Sequence, residues 1–491
     1  MQSKIFTKIL IIILVIIYLA LFLLIIINNR WSDGDEVHYL LVSSSILRDG
    51  DLVLDNNYEN KDYFEHHSHE ESPHAFSGRN EELRPAHGIL TSIIMVPGYG
   101  LSIVAKKLTG FESNGHFLFF PRLTMLILHI FFGFILIKFL QAQNINKNMS
   151  LLCVILYSLQ LPIIIYSQSI YSDLLSAYFI MTSIAGIIIF LQNKNFRWLT
   201  ASGIFLGLTI FMHSKLIILT LLIIIISFIM FHTKFRKDLN LKATDRAKNN
   251  LYRKIILSLL IPWLIFLTGN IAVKFYWFGT FYFDGVRGIG KENFLLTLIK
   301  NPVRGWLGQW LDIEMGMIPN APLLILIFTG LFIWFRNNKQ TFLLTVPPVI
   351  LYLFLGASTK FWSGGFCPPG RHILISIPVL LPALGWVIYS SKKIIWLRWL
   401  TGVTAFLSLL LSSLIPFTGR RGLPYSDGYN IYWRKILGFI KLDSLNSPVT
   451  LDFFNPKIQD YFTGICIFII FMGIGYYLIR RKSDNNTLKK S

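Results

Sequence analysis

The amino-acid sequence predicts an all-α polytopic membrane protein with about 12 transmembrane helices, and three observations predict it. Of the 491 residues, 53% are hydrophobic and only 15% are charged, whereas soluble domains carry about 25% charged residues. Apolar segments long enough to cross a bilayer, roughly 20 residues each, recur along the whole chain. Basic residues cluster between these segments. The composition therefore excludes an ordinary soluble enzyme, a disordered chain and, with three cysteines, a disulfide scaffold.

The first predicted span, residues 5–27, begins within a short basic segment that contains Lys4 and Lys8. It is longer than the roughly 7–15 residues of a signal-peptide core, and no small-residue cleavage site follows it. We therefore expect a signal anchor whose basic end lies in the cytoplasm. The further predicted spans, each bounded by polar residues, are 117–137, 149–166, 170–192, 198–212, 215–231, 255–276, 318–335, 341–357, 372–390, 394–415 and 461–479.

One apolar segment, residues 89–105, leaves two topologies open because it is short and contains Pro97 and Gly98. If it crosses the membrane, the strongly basic loop 232–254 lies outside. If it lies along the outer interface instead, every basic cluster faces the cytoplasm, as the positive-inside rule requires. The rule favours the interfacial arrangement, with both termini inside. The clusters concerned are 194–197, 232–254, 336–339, 392–398 and 480–490.

We thus predict a single integral membrane domain over residues 1–491, whose polar chemistry lies on the extracytoplasmic side. Thirteen of the 26 acidic residues lie between positions 28 and 88. The net charge of +20 follows from the basic cytoplasmic loops, so no nucleic-acid partner is expected. After the first helix, 5–27, the predicted parts are an outer loop 28–116 with interfacial helices, helices 2–7 over 117–276, an outer loop 277–317, helices 8–11 over 318–415, an outer loop 416–460, and the last helix with a basic tail, 461–491.

Three carboxylates, Asp33, Asp35 and Glu36, follow the first span directly. From Val37 onward the apolar residues have helical spacing, which predicts a short interfacial helix that holds the acids at its first turn. Closely spaced carboxylates raise one another's pKa, and such a group can bind a cation or act as a general base toward an alcohol. The alternative is that the acids only cap the helix and interact with its dipole.

The stretch Asp35-Glu36-Val37-His38-Tyr39 resembles the Asp-Glu motif of the GT-C glycosyltransferase superfamily, in particular of protein O-mannosyltransferases and bacterial lipid A aminoarabinose transferases. Three further stretches are similar to family elements. Arg84-Pro-Ala-His87-Gly88, followed by Pro97-Gly-Tyr99, occupies the place of an outer interfacial helix, and Ile170-Tyr-Ser-Asp173 resembles the acidic start of a later span. The stretch from Trp362 to Arg371-His372 resembles a Trp-x-Gly-Gly…Gly-x-Arg element, except that two prolines precede its Gly-Arg.

The resemblance implies a GT-C-like bundle that transfers a sugar from a polyprenyl-phosphate donor, undecaprenyl phosphate if the source is bacterial, to an acceptor hydroxyl, usually with inversion. It implies a lipid, glycan or protein acceptor, contact with membrane lipids, and an active site on the periplasmic face of a bacterial inner membrane. Carried onto this sequence, Asp35 would be the base, with Glu36 orienting Asp35 or contacting the acceptor and Asp33 beside them.

Because the leaving group is a lipid phosphate, fixed cations should stabilise it. Four basic residues are candidates for binding the donor phosphate: Arg371, Lys215, Arg122 and Arg84. Glycines around Arg371 let backbone amides approach an anion. The alternative for each is a side chain that contacts lipid headgroups, which we favour for Arg122. The candidates for binding substrate are His38, His87, Asp173, His213, Trp362 and His372, although Asp173 also fits a simple helix cap.

The histidines His66, His67, His69 and His74 suggest a metal site by composition, but a solvated acidic loop explains them better. The sequence requires no cofactor; a divalent cation held by Asp33, Asp35 and Glu36 with an outer histidine stays open. The alternative function is a transporter or flippase for a lipid-linked glycan. Such a protein would carry ionisable residues near the bilayer midplane, whereas here the span interiors are nearly free of charge.

Overall fold

The computed structural model describes residues 12, 15–24, 32–110, 117–239, 245–280, 302–357, 362–365, 367–417, 430–439 and 451–487. Most of these residues lie in helices, and the sheet in this part of the chain is one antiparallel hairpin. The predicted all-α class is confirmed. The outer segments 281–301, 418–429 and 440–450 fall outside the described residues, so the predicted loops there are described only in part.

The helices and strands follow one another in the order of the predicted spans and outer loops. They are α1 (Val15–Leu24), α2 (Asp35–Arg48), α3 (Asp55–Glu59), β1 (Ala75–Ser77), β2 (Leu83–Pro85), α4 (Leu90–Thr109), α5 (Phe119–Ala142), α6 (Lys147–Ser158), α7 (Leu161–Tyr166), α8 (Ser172–Asn193), α9 (Phe196–Met212), α10 (Ile217–Leu239), α11 (Asp245–Ile255), α12 (Ile261–Phe278), α13 (Pro302–Leu311), α14 (Met317–Asn320), α15 (Leu326–Asn337), α16 (Lys339–Ala357), α17 (Arg371–Leu374), α18 (Ile377–Ser391), α19 (Ile395–Ser413), α20 (Ile431–Phe439) and α21 (Ile458–Thr487).

Seven of the described helices are long and apolar enough to cross a membrane. They are α5, α8, α10, the continuous α11–α12 rod, α16, α19 and α21. Four shorter apolar helices, α1, α9, α15 and α18, occupy further predicted spans. The protein is therefore a multi-pass integral membrane protein. Helix α8 lies at the centre of the bundle, where it packs against α5, α9 and α18, so its first turn is buried.

The predicted span 149–166 is two helices rather than one. Helix α6 ends at Ser158, and Gln160 adopts an extended backbone before α7 begins at Leu161. Pro162 lies in the first turn of α7, where its missing N–H costs nothing, but the same ring would disrupt the interior of a longer helix. The hydropathy of the segment is continuous, so only this proline and Gln160 signal the break.

The outer loop that follows α1 has a small core of its own, formed by α2, α3 and the hairpin. Val37 and Leu41 of α2 pack against Leu54 and Tyr58. Helix α2 also lies along α4, where the Ser43 hydroxyl donates to the Ser92 carbonyl at 2.9 Å. This packing fixes the direction in which the first turn of α2 points.

Helices α2 and α4 run side by side in the same direction. At their far ends, Glu65 accepts a hydrogen bond from Arg48 of α2 (2.6 Å) and lies 3.5 Å from the Lys106 amine of α4. At their near ends, Asp35 lies beside His87, just before α4. If α2 lies along the interface, α4 therefore does so too.

Candidate active site

Asp35 lies in the first turn of α2, where the helix dipole favours a carboxylate. Its side chain is 13% exposed, and its Oδ2 accepts a hydrogen bond from Nη2 of Arg371, 336 residues further along the chain. His87 Nε2 lies 3.8 Å from the same oxygen. The structure therefore brings together the carboxylate and the arginine that the sequence singles out most strongly.

Arg371 joins two acids. Its Nε donates to Asp173 Oδ2 at 3.1 Å and its Nη1 to the Gly364 carbonyl at 3.1 Å, while the guanidinium lies over the ring of Tyr171, 5.3 Å from the centroid. Sequence reasoning missed Tyr171, since an aromatic residue beside Asp173 carries no signal of its own.

Lys215 extends the cluster, because its Nζ lies 3.9 Å from the second oxygen of Asp173. The side chains thus run in the order Asp35, Arg371, Asp173, Lys215, with alternating charge. Asp173 begins α8, Lys215 precedes α10, and Arg371 begins α17. Three helix starts therefore meet at one level of the bundle, next to the first turn of α2.

The loop before Arg371 is held by unusual backbone conformations. Gly364 and Gly370 have φ of +92° and +73°, a region that other residues rarely adopt. The Gly370 N–H donates to the Met315 carbonyl at 2.8 Å, and Asp312 holds that turn by accepting from the Met315 N–H, also at 2.8 Å. Trp362 packs beside the same loop against Gly308 and Phe454, where it supports the loop that carries Arg371.

Glu36 points away from Asp35 into the protein. It is fully buried and pairs with the equally buried Arg122 of α5 at 3.2 Å. Oε1 of Glu36 accepts the Ile170 N–H at 2.8 Å, and Oε2, which pairs with Arg122, also accepts the Asp33 N–H at 3.2 Å. The favoured interpretation of Arg122 as a lipid-contacting side chain is wrong, because the residue has no exposed surface. Glu36 and Arg122 hold α2 against α5.

The remaining predicted site residues divide between the cluster and its surroundings. His213 precedes Lys215, and its ring lies 6.0 Å from that of His87. His38 bonds Tyr58 through Nδ1 at 3.0 Å, and Asp33 accepts from the Tyr171 hydroxyl at 3.3 Å through its backbone carbonyl. Arg84 pairs with Glu82 and lies over Trp277 rather than in the cluster. His372 follows Arg371 in α17.

The environment sets the protonation of these groups. Burial alone would raise the pKa of Asp35, but Arg371, His87 and His74 outweigh it, so the pKa is held well below its ordinary value. Burial, with a contribution from His74, lowers the pKa of His38 to about 3. Burial, together with Lys215, also lowers the pKa of His213 far below its ordinary value. The site therefore combines an ionised carboxylate with neutral His38 and His213.

Comparison with known proteins gives two findings. The family model of dolichyl-phosphate-mannose-protein mannosyltransferases matches residues 98–276, which confirms the resemblance to protein O-mannosyltransferases over that stretch. The stretch includes Arg122, Asp173 and Lys215 but neither Asp35 nor Arg371. The crystal structure of ArnT from Cupriavidus metallidurans in the apo state is similar with a TM-score of 0.49 and 14% identity, over 95% of this chain and 75% of that one. No curated protein matches the chain.

Proposed function

We propose that the protein is a GT-C membrane glycosyltransferase that moves a sugar from a polyprenyl-phosphate donor to an acceptor hydroxyl, with Asp35 as the base. The observation that carries the proposal is the contact between Asp35 and Arg371, beside Asp173 and Lys215. A potential base and two fixed cations lie within one cluster, which is the arrangement that displacement of a phosphate leaving group needs. The mannosyltransferase model over residues 98–276 supports the same reaction class.

In this proposal the donor phosphate takes over the guanidinium of Arg371 and the amine of Lys215. Arg371 offers two parallel N–H groups that match phosphate oxygens, and Lys215 adds a point charge. When the phosphate binds Arg371, Asp35 loses the contact that holds its pKa low. The carboxylate becomes a stronger base at the moment when the sugar carbon is in place.

The chemical step is a displacement at the anomeric carbon. The acceptor oxygen forms a bond to that carbon while the bond to the phosphate oxygen breaks, and the electron pair leaves with the lipid phosphate. The acceptor proton moves to Asp35. Attack opposite the leaving group inverts the anomeric centre. Arg371 and Lys215 stabilise the departing anion, so the leaving group needs no proton donor.

The alternative function, a transporter or flippase, fits the positions of the charges less well. The cluster lies where α8, α10 and α17 begin, rather than midway along any of them. A transporter places its substrate site near the bilayer midplane, between broken helices. Chemistry at one face of the bundle is therefore the better supported proposal, and we place that face outside the cytoplasm.

The test is sugar transfer by purified protein supplied with lipid-linked sugars extracted from a strain that lacks it. We expect Asp35→Asn to reduce turnover by about 10²–10⁴-fold, the contribution typical of a general base. The matched control is Glu59→Gln, which removes an exposed acid from the same loop. Equal turnover in Asp35→Asn and wild-type protein would remove Asp35 from the reaction.

A further inference from the structure

Two histidines of the first outer loop lie beside Asp35 and are not used by the proposed reaction. One ligand atom each from Asp35, His74 and His87 can be chosen such that all three lie within 4.8 Å of one another. The rings of His74 and His87 meet edge to face at 4.5 Å. Of the four histidines that suggest a metal site by composition, only His74 belongs to this cluster.

The hairpin brings the two histidines together. Ala75 of β1 pairs with Pro85 of β2, so His74 and His87 leave the same end of the hairpin. The His74 N–H donates to the Tyr58 hydroxyl at 3.1 Å, which fixes one side. On the other side, Gly88 packs so closely that a Cβ there would lie 2.2 Å from the Phe211 carbonyl oxygen, which fixes the chain next to His87.

We propose that Asp35, His74 and His87 bind a divalent transition-metal ion, with Zn²⁺ the best match. Two imidazoles and one carboxylate are the ligand set of open zinc sites, which keep a fourth position for a non-protein ligand. The three ligands come from α2, from the residue before β1 and from the segment after β2, so the site exists only in the folded chain.

Residues around the three ligands hold them in place, as neighbouring hydrogen-bond partners do in other metal sites. In this site the metal takes one carboxylate oxygen of Asp35, and Arg371 donates to the other, which orients the carboxylate. When the donor phosphate takes over Arg371, that second oxygen is available to receive the acceptor proton. The ring of His38 lies 4.8 Å from His74, edge to face, and is itself held by Tyr58. Both contacts restrict how the ligands can turn.

The charge balance indicates what fills the fourth position. With a divalent ion bound, the positive charges of the ion, Arg371 and Lys215 outnumber the negative charges of Asp35 and Asp173, so the cluster attracts a further anion. The phosphate of a lipid donor is such an anion. This step rests on the proposed function, and it predicts that the metal and a lipid phosphate strengthen each other's binding by the same factor, as linkage requires.

The first experiment measures zinc bound to the purified full-length protein after dialysis against buffered Zn²⁺. We expect one ion per chain, and His74→Ala or His87→Ala should weaken binding by about tenfold or more. His69→Ala, which removes an exposed histidine of the same loop, should bind like the wild type. Zinc content that is zero in the wild type, or equal in all four proteins, would overturn the site.

A second measurement does not depend on the alanine variants folding. Co²⁺ in a four-coordinate site absorbs visible light, and His87→Cys should add a thiolate-to-cobalt band in the near ultraviolet. A His69→Cys control should not show the band. If neither protein shows it, His87 is not a ligand.

The third measurement separates this inference from the proposed function. Undecaprenyl phosphate in detergent should raise zinc affinity, and an unchanged affinity would overturn the phosphate link. A protein that binds zinc through these residues but transfers no sugar from any lipid donor would disprove the proposed function and leave the metal site intact. Full sugar transfer by a protein that binds no zinc would overturn the metal site and leave the proposed function intact.

Discussion

At the scale of single residues, Asp35 and Glu36 show how neighbouring acids acquire opposite roles. Consecutive residues of an α-helix point about 100° apart, so the first turn of α2 directs Asp35 toward Arg371 and Glu36 into the protein toward Arg122. We therefore expect changes at Asp35 to affect turnover and changes at Glu36 to affect stability.

The Arg371 contact gives a prediction about pH. Because this guanidinium helps to hold the pKa of Asp35 low, Arg371→Gln should raise that pKa. A raised pKa protonates the base at higher pH, so the acid limb of the kcat/KM profile should move to higher pH. The donor KM should rise as well.

The control for this pH profile is Arg48→Gln, at the far end of α2, where the arginine pairs with Glu65. Its acid limb should coincide with that of the wild type. An Arg371→Gln profile that coincides with the wild-type curve would contradict the proposed coupling between Arg371 and Asp35.

The buried pair of Glu36 and Arg122 gives a prediction about stability. Glu36→Gln leaves the Arg122 charge without its carboxylate in a fully buried position, which costs about 3–5 kcal/mol for pairs of this kind. The double variant Glu36→Gln/Arg122→Met removes both charges and should regain much of the loss. Thermal unfolding of the detergent-solubilised proteins measures both. A single variant that melts like the wild type would show that the pair contributes nothing.

At the scale of elements, the turn before α17 decides where Arg371 points. Gly370 and Gly365 share the same φ of +73°, but a Cβ at Gly370 would lie 2.5 Å from the Met317 side chain, whereas a Cβ at Gly365 would meet open space. Alanine at either position costs about 1–2 kcal/mol for the left-handed backbone. Only Gly370→Ala should also displace Arg371 and raise the donor KM.

Each of these two alanine variants serves as the experimental control for the other. Similar melting temperatures together with a donor KM raised only in Gly370→Ala would support the positioning role of this turn. Equal KM values in both variants would show that Arg371 does not depend on the contact between Gly370 and Met317.

The elements also show what the sequence could and could not predict. Hydropathy located helices at the predicted spans, because a bilayer-length apolar run has few alternatives. It did not reveal the break between α6 and α7, since neither Gln160 nor Pro162 interrupts the apolar character of the segment. It left α4 open as well, and the contacts of α4 with α2 and Glu65 show that these two helices share one position relative to the bundle.

The sequence did not predict in which direction the side chains of the candidate site point. Residue types and helix ends were enough to select Asp35, Asp173, Lys215 and Arg371, because charges at span ends are costly and few. Which side of α2 faces the cluster depends on packing, so the pairing of Glu36 with Arg122 could not be predicted from the sequence. The approach of His74 to Asp35 depends on hairpin register, which no short motif reveals.

At the scale of the whole molecule, the distribution of charge predicts the topology. Single cysteines introduced at Glu59, in the first outer loop, and at Arg197, at the start of α9, should react with a membrane-impermeant maleimide from opposite sides. Intact cells should label the first and only broken cells the second, in a background where Cys466 is serine. Labelling of both positions in intact cells would exclude the predicted arrangement.

The buried pair between α2 and α5 also has a consequence for how the chain enters its membrane. An unpaired arginine costs about 2.5–3.5 kcal/mol to insert at the centre of a spanning helix, and less near a helix end, where Arg122 lies. Glu36 precedes Arg122 by 86 residues, so the carboxylate has left the ribosome well before the arginine does. The order of synthesis therefore supplies the counter-ion first, and we expect Arg122 to enter the membrane boundary with its carboxylate already at hand.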